Sequence, residues 1–104
     1  MDFTGHGTIL LVEDDQSLRM LFARGLRSRG FSVIEASNGL EALKVLEQNA
    51  VDLIVSDVVM PDMDGPTLRG RIPNFKILFI PKPFSLNQLV TAVKRTMGDG
   101  PLPP

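Results

Sequence analysis

Three groups of charged residues have the types and the spacing for phosphoryl chemistry. They are the acidic run Glu13-Asp14-Asp15, the single Asp57, and Lys82, which lies between two prolines. Carboxylates packed together repel and raise one another's pKa values unless a hard cation such as Mg²⁺ neutralises them. A carboxylate beside Mg²⁺ can attack phosphorus, and a lysine can pair first with that acid and then with a phosphoryl oxygen. These residues therefore predict a Mg²⁺-dependent site for an aspartyl phosphate.

The elements that must position these residues form an alternating pattern. Short apolar runs at 8–12, 31–36, 51–56 and 77–80 alternate with amphipathic segments, which is typical of βα units in a parallel sheet. Glu13 follows the first predicted strand and Asp57 follows the third. Ligands of such sheets bind beyond the carboxyl ends of the strands. The acids converge if these two strands are neighbours, as a strand order of 2-1-3 requires.

The predicted helices carry one apolar stripe each. Asn38 with Glu41, and Ser85 with Gln88, have the spacing of a capping box at the start of the second and the last helix. Gly30 is placed to end the first helix. The stripes are Leu18, Leu21, Phe22 and Leu26 in the first helix, Leu40, Leu43 and Leu46 in the second, and Leu86, Leu89, Val90, Val93 and Met97 in the last.

Composition narrows the class of protein. A length of 104 residues predicts one domain, and 11 basic against 12 acidic residues argue against nucleic-acid binding. No apolar run approaches the roughly 20 residues of a membrane span, and the first residues lack the features of a signal peptide. We therefore expect a cytoplasmic domain without membrane contact, and the absence of cysteine agrees with this. The expected division is an N-terminal extension at 1–7, a folded domain at 8–97 and a flexible tail at 98–104.

Three separated motifs resemble those of response-regulator receiver domains. They are Ile9 to Asp15 (ILLVEDD), Leu53 to Gly65 (LIVSDVVMPDMDG) and Lys82-Pro83-Phe84. The resemblance implies a doubly wound α/β fold of the flavodoxin-like type, with a parallel sheet of strand order 2-1-3-4-5. Two further segments, Thr4 to Gly7 and Asp64 to Leu68, resemble the C-terminal receiver of alphaproteobacterial cell-cycle hybrid histidine kinases.

The resemblance also implies a role for each site residue. Asp57 is the phosphoacceptor, Mg²⁺ is held by Glu13, Asp14, Asp57 and the backbone carbonyl of Val59, and Lys82 is the site lysine. Asp15 falls one place beyond the acidic pair and is not expected to be a ligand. The phosphoryl group comes from the phosphohistidine of a histidine kinase or a histidine phosphotransferase. The outcome is either a conformational signal or onward transfer of the phosphoryl group to a histidine phosphotransferase, with slow autodephosphorylation as the only turnover. The partner is expected to dock on the first helix near Leu18, Met20 and Phe22.

The chain departs from the family pattern after the fourth strand. Receivers place a fourth helix and a fifth strand before the Lys-Pro pair, whereas here Pro81 follows Ile80 directly. A crossover between parallel strands needs about a dozen residues, so no fifth strand fits between Ile80 and Lys82. Either the protein lacks this region or the sequence omits a segment that the protein contains. The intact Lys-Pro-Phe motif favours the second explanation.

Simpler explanations and other functions stay open for these residues. Acids favour helix N-termini, where the helix dipole is positive, and the arginines of the first helix can be a solvated face. A degenerate receiver can dock partners without being phosphorylated. The run from Asp62 to Thr67 resembles the start of haloacid-dehalogenase-type phosphohydrolases, although an apolar strand should then lead directly into Asp62.

Overall fold

The computed structural model describes residues 7–56, 76–80 and 84–97. Four strands and three helices alternate along this part of the chain. The strands are β1 (Thr8–Val12), β2 (Ser32–Ala36), β3 (Leu53–Ser56) and β4 (Lys76–Phe79), and the helices are α1 (Gln16–Arg27), α2 (Gly39–Gln48) and α3 (Leu86–Met97). None of these helices is long and apolar enough to cross a membrane.

The four strands form one parallel sheet in the order β2-β1-β3-β4. β1 lies in the middle, where Leu10 is in register with Ile34 of β2 and with Ile54 of β3. The predicted α/β class and the 2-1-3-4 part of the strand order are therefore confirmed. Within the ranges given above there is no fifth strand, as the length of the connection after Ile80 requires.

The apolar core lies on both faces of the sheet. Alternate residues of β1 point to opposite faces, so Ile9 and Leu11 belong to one cluster, and Leu10 and Val12 belong to the other. Helices α1 and α3 cover the first face, and α2 covers the second. All four of these residues are at most 2% exposed, which explains why β1 has no polar alternation.

Two apolar residues predicted to face the core are exposed instead. Leu21 of α1 is 53% exposed and Leu40 of α2 is 56% exposed. In each helix small residues take part of the buried face, namely Ala23 and Gly25 in α1 and Ala42 in α2. The stripe predicted for α3 is better matched, because Leu89, Val90 and Val93 are buried and Leu86 and Met97 are half-buried.

Local hydrogen bonds set the starts of α2 and α3. The Asn38 side chain accepts a bond from the Glu41 N–H at 2.8 Å, and the Glu41 carboxylate accepts one from the Ser37 N–H at 2.7 Å. At α3 the Ser85 hydroxyl accepts from the Gln88 N–H at 3.1 Å, and the Gln88 side chain accepts from the Ser85 N–H at 2.8 Å. Both predicted N-caps are confirmed. The bonds at α3 form a reciprocal capping box, whereas at α2 the Glu41 carboxylate accepts from Ser37, the residue before the N-cap Asn38.

The packing of α1 on α3 depends on a glycine. A Cβ atom at Gly25 would lie 2.5 Å from Cδ1 of Leu86, so the two helices approach closely at this point. After α1 the chain reverses at Gly30, whose φ of 96° is in the left-handed region that glycine adopts without strain. This turn leads the chain into β2.

Candidate functional site

The acidic run lies at the carboxyl end of β1. Glu13 follows β1 directly and is 2% exposed, and its N–H donates to the carbonyl of Ala36 at 3.0 Å. Its carboxylate Oε2 accepts a hydrogen bond from the Asp15 N–H at 3.0 Å. Asp14 is exposed. The strand end thus presents one carboxylate held within the protein and one that faces solvent.

Asp15 has a structural role of its own. It is the N-cap of α1, and its Oδ1 accepts a hydrogen bond from the Leu18 N–H at 3.0 Å. This bond satisfies one of the N–H groups that a helix leaves without a partner in its first turn. The expectation that acids here serve the helix start therefore applies to Asp15.

Arg19 braces the backbone of the acidic run. Its Nη1 donates to the Glu13 carbonyl at 2.8 Å, and its Nε lies 3.3 Å from Oε1 of Glu35. Arg27 approaches the other Glu35 oxygen at 3.3 Å and donates to the Val33 carbonyl at 2.7 Å. The Arg19 side chain is only 16% exposed. The interpretation of the arginines as a solvated face is therefore wrong for Arg19. Glu35, the one acidic residue of β2, is the sequence signal that could have identified this contact.

The end of β3 lies beside the end of β1. Ser56 is in register with Val12, and it is 1% exposed. Its carbonyl also accepts a hydrogen bond from the Ile80 N–H, just after β4, at 3.3 Å. The carboxyl ends of β1, β3 and β4 therefore lie together at one edge of the sheet. Asp57, Val59 and Lys82 lie outside the described residues, as does the run from Asp62 to Thr67.

The described part of the predicted metal site consists of Glu13 and Asp14. In the ranges that the structure describes, no three histidine, cysteine or acidic side chains come close enough to hold a metal ion. Carboxylate oxygens are the ligands that Mg²⁺ prefers, and Mg²⁺ needs only one or two of them together with water and phosphate oxygens. The chemistry of the two described acids therefore fits Mg²⁺.

The predicted docking residues of α1 differ in exposure. Met20 is 48% exposed and Leu18 is half-buried, whereas Phe22 is 3% exposed and lies in the core. The Phe22 ring stacks on that of Phe84, with 4.9 Å between the ring centroids and 24° between the planes. Phe22 therefore cannot offer a surface to a partner in this conformation. Leu21, which sequence reasoning assigned to the core, is the exposed apolar neighbour of Met20.

Comparison with known proteins agrees with this geometry. Residues 9–78 match the family model described as the response regulator receiver domain. The chain is 43% identical over 123 residues to the sensor kinase CckA of Brucella abortus, covering 92% of this chain and 13% of the kinase. It is 38% identical over 76 residues to the response regulator receiver protein CpdR of the same organism, covering 69% of this chain and 63% of CpdR.

Comparison with solved structures also identifies a receiver domain. The crystal structure of the receiver domain from the hybrid histidine kinase CckA matches with a TM-score of 0.79 and 39% identity, covering 88% of this chain and 99% of that one. The alignment to the Brucella kinase, at 123 positions, is longer than this chain of 104 residues, so it includes positions that have no counterpart here. The chain belongs to the response regulator receiver domain family of two-component phosphorelay systems.

Proposed function

We propose that this chain accepts a phosphoryl group from a phosphohistidine onto Asp57 in a Mg²⁺-dependent reaction. The observation that carries the proposal is the pairing of β1 with β3, in which Val12 is in register with Ser56. Glu13 follows Val12 in the sequence and Asp57 follows Ser56. The acidic pair and the proposed phosphoacceptor thus leave neighbouring strands at the same edge of the sheet.

The reaction is a displacement at phosphorus. A carboxylate oxygen of Asp57 attacks the phosphorus atom, the new P–O bond forms, and the P–N bond to the histidine breaks. The imidazole of the partner leaves with the electron pair of that bond. Glu13, Asp14, Asp57 and the carbonyl of Val59 would hold Mg²⁺, which when bound neutralises charge on the phosphoryl oxygens.

Two described residues prepare the acidic pair for this task. Arg19 donates to the Glu13 carbonyl, which fixes the backbone from which both acids project. The Asp15 N–H fixes the Glu13 carboxylate through Oε2. A site held in place before the ligands arrive avoids the entropic cost of ordering it during the reaction.

Lys82 is the proposed cation of the site. A lysine ammonium is a compact point charge on a flexible stem, so it can pair with the Asp57 carboxylate before transfer and with a phosphoryl oxygen afterwards. The covalent chain supports its nearness, because Lys82 is two residues beyond Ile80, which is hydrogen-bonded to Ser56.

The proposed partners are a histidine kinase, a histidine phosphotransferase, or both. Met20 and Leu21 are exposed on α1, and Leu18 is half-buried near the acidic run. Beside Met20, a cleft of about 200 Å³ is lined by Arg24, Arg27 and Glu35. The proposed docking surface is therefore the exposed side of α1 around Leu18 and Met20. The proposed location is the cytoplasm, where such partners carry their phosphohistidines.

The test is phosphorylation by acetyl phosphate, a small donor that needs no protein partner. We expect a phosphorylated protein in the presence of Mg²⁺ and none after chelation of the metal. Asp57→Ala should abolish the product, and Asp14→Ala should abolish it while leaving the far-ultraviolet circular dichroism unchanged. An unchanged yield in Asp57→Ala would refute the assignment. No yield in the unaltered protein would favour a receiver that docks partners without phosphorylation.

A further inference from the structure

A chain of polar contacts links the acidic run to strand β2. Nη1 of Arg19 donates to the Glu13 carbonyl at 2.8 Å, and Nε of the same guanidinium lies 3.3 Å from Oε1 of Glu35. The side chains of Arg19 and Glu35 are 16% and 28% exposed, so water competes little for these contacts. One planar guanidinium therefore joins the end of β1 to a carboxylate of β2.

Glu35 has a second arginine partner that is attached differently. Oε2 of Glu35 lies 3.3 Å from Nη1 of Arg27, and Nη2 of Arg27 donates to the Val33 carbonyl at 2.7 Å. Both of these contacts of Arg27 are with β2, whereas Arg19 contacts β2 and the acidic run. The two arginines thus share Glu35 but differ in what else they hold.

The carbonyl that Arg19 holds belongs to the peptide group between Glu13 and Asp14. A peptide group is planar, so a hydrogen bond to its oxygen also limits the direction in which the backbone enters Asp14. The Glu13 carboxylate is held separately, by the Asp15 N–H at 3.0 Å. The orientation of this peptide therefore sets the position of the Asp14 side chain relative to the Glu13 carboxylate. Mg²⁺ tolerates little departure from octahedral geometry, so its affinity should depend on that orientation.

We propose that Arg19 and Glu35 are positioning residues for Mg²⁺. Glu35 orients the guanidinium of Arg19, and the guanidinium holds the peptide group from which the two acids project. The proposal rests on the proposed function, since it takes Glu13 and Asp14 as Mg²⁺ ligands. It goes beyond that function because it assigns control of metal affinity to β2, a strand that provides none of the proposed ligands.

The charge of Arg19 by itself predicts the opposite effect on Mg²⁺. A cation near a metal site repels the ion, so removal of that cation should strengthen binding. Loss of a group that orients a metal ligand weakens binding, by about 10–100-fold where it bonds to the ligand side chain. Arg19 bonds to the backbone between the two acids, so we expect the low end of this range. The direction of the change in Arg19→Met therefore separates positioning from charge.

The test is the dissociation constant for Mg²⁺ alone, measured on the full isotope-labelled chain from the amide chemical shifts of the acidic run. Arg19→Met should weaken binding by roughly tenfold. Glu35→Ala should weaken it by roughly threefold, because the guanidinium keeps its bond to the Glu13 carbonyl. Arg27→Met is the matched control, since it also removes an arginine from Glu35. We expect its dissociation constant to lie within about twofold of that of the unaltered protein, because Arg19 stays in place.

A double-variant cycle establishes whether Glu35 acts through Arg19. In an Arg19→Met background, Glu35→Ala should change the dissociation constant by less than about twofold, because the group that it orients is gone. A charge that acts through space would give the same change in both backgrounds.

Thermal unfolding by circular dichroism establishes that each variant is folded at the assay temperature. If Arg19→Met is not folded, Arg19→Lys takes its place, because lysine keeps the charge but lacks the planar fork that contacts both partners. We then expect binding weakened by roughly threefold, where charge alone predicts no change.

Three results would overturn the inference. They are unchanged or tighter Mg²⁺ binding in the Arg19 variant, a weakening by Arg27→Met equal to that by Glu35→Ala, and an equal effect of Glu35→Ala with and without Arg19. In each case the proposed function would stand, because the unaltered protein binds Mg²⁺ and its phosphorylation is measured separately. If the unaltered protein does not bind Mg²⁺, the proposed function fails and this inference fails with it.

Discussion

Arg19→Met should destabilise the protein by much more than its position on a helix surface suggests. The substitution removes the hydrogen bond from Nη1 to the Glu13 carbonyl and the ion pair of Nε with Glu35. A hydrogen bond with a charged partner contributes about 1.5–3 kcal/mol, and a partly exposed ion pair contributes about 0.2–1 kcal/mol. In the variant Glu35 still pairs with Arg27 at 3.3 Å. The loss of the ion pair with Arg19 should therefore cost an amount at the low end of its range. We expect a loss of about 2–3 kcal/mol in the free energy of unfolding.

Urea denaturation followed by far-ultraviolet circular dichroism measures this loss, because the chain has no tryptophan or tyrosine for fluorescence. At a typical urea dependence the midpoint should fall by roughly 1–2 M. Arg24→Met is the matched control, since within the described ranges the Arg24 side chain has no hydrogen bond or ion pair. We expect the control to lie within about 0.5 kcal/mol of the unaltered protein. Equal losses in the two variants would refute the bracing role of Arg19.

Three further predictions concern caps, charge and core. Asp15→Ala should lower the free energy of unfolding by about 1 kcal/mol and Asp15→Asn should restore most of it, because asparagine also caps helices well; urea denaturation decides this. Hydrogen bonding from the Ser37 N–H and hydroxyl lowers the pKa of Glu41 below its ordinary 4.5. The unaltered protein should therefore have a higher free energy of unfolding than Glu41→Gln, with the full difference above pH 4.5 and none once the pH has fallen through the lowered pKa. A difference that stays constant at all pH values would contradict this. Leu26→Ala, at a buried position, should cost about 2–5 kcal/mol, whereas Leu40→Ala, at a position 56% exposed, should cost under about 1 kcal/mol in the same assay.

The sheet was predictable from sequence because each of its strands contains consecutive apolar residues, such as Val33-Ile34 in β2 and Leu53-Ile54-Val55 in β3. β1 begins and ends where the run Thr8–Val12 does, and the motifs that include the ends of β1 and β3 indicate the family independently of the spacing of the elements. Helix caps were predictable for a similar reason, since Ser85 and Gln88 need only local geometry to form their bonds. These features depend only on the length of an apolar run and on hydrogen bonds between residues close in the sequence.

Helix faces and side-chain contacts were less predictable. The apolar spacing of α1 predicts that Leu21 faces the core, but the small residues Ala23 and Gly25 are buried in its place and Leu21 is exposed. The stack of Phe22 on Phe84 joins residues that are far apart in the sequence, and the Arg19 bond to the Glu13 carbonyl depends on the angle between β1 and α1. Such contacts follow from tertiary packing, which single-sequence patterns do not encode.

The most direct test of the central claim is site mapping of the phosphoryl group by mass spectrometry. The full chain is incubated with acetyl phosphate and Mg²⁺, and the intact mass is measured before the modified peptide is fragmented. The account predicts the addition of one phosphoryl group, located on Asp57 and absent when Mg²⁺ is chelated. A phosphoryl group on another residue, or an unmodified protein in the presence of Mg²⁺, would contradict it.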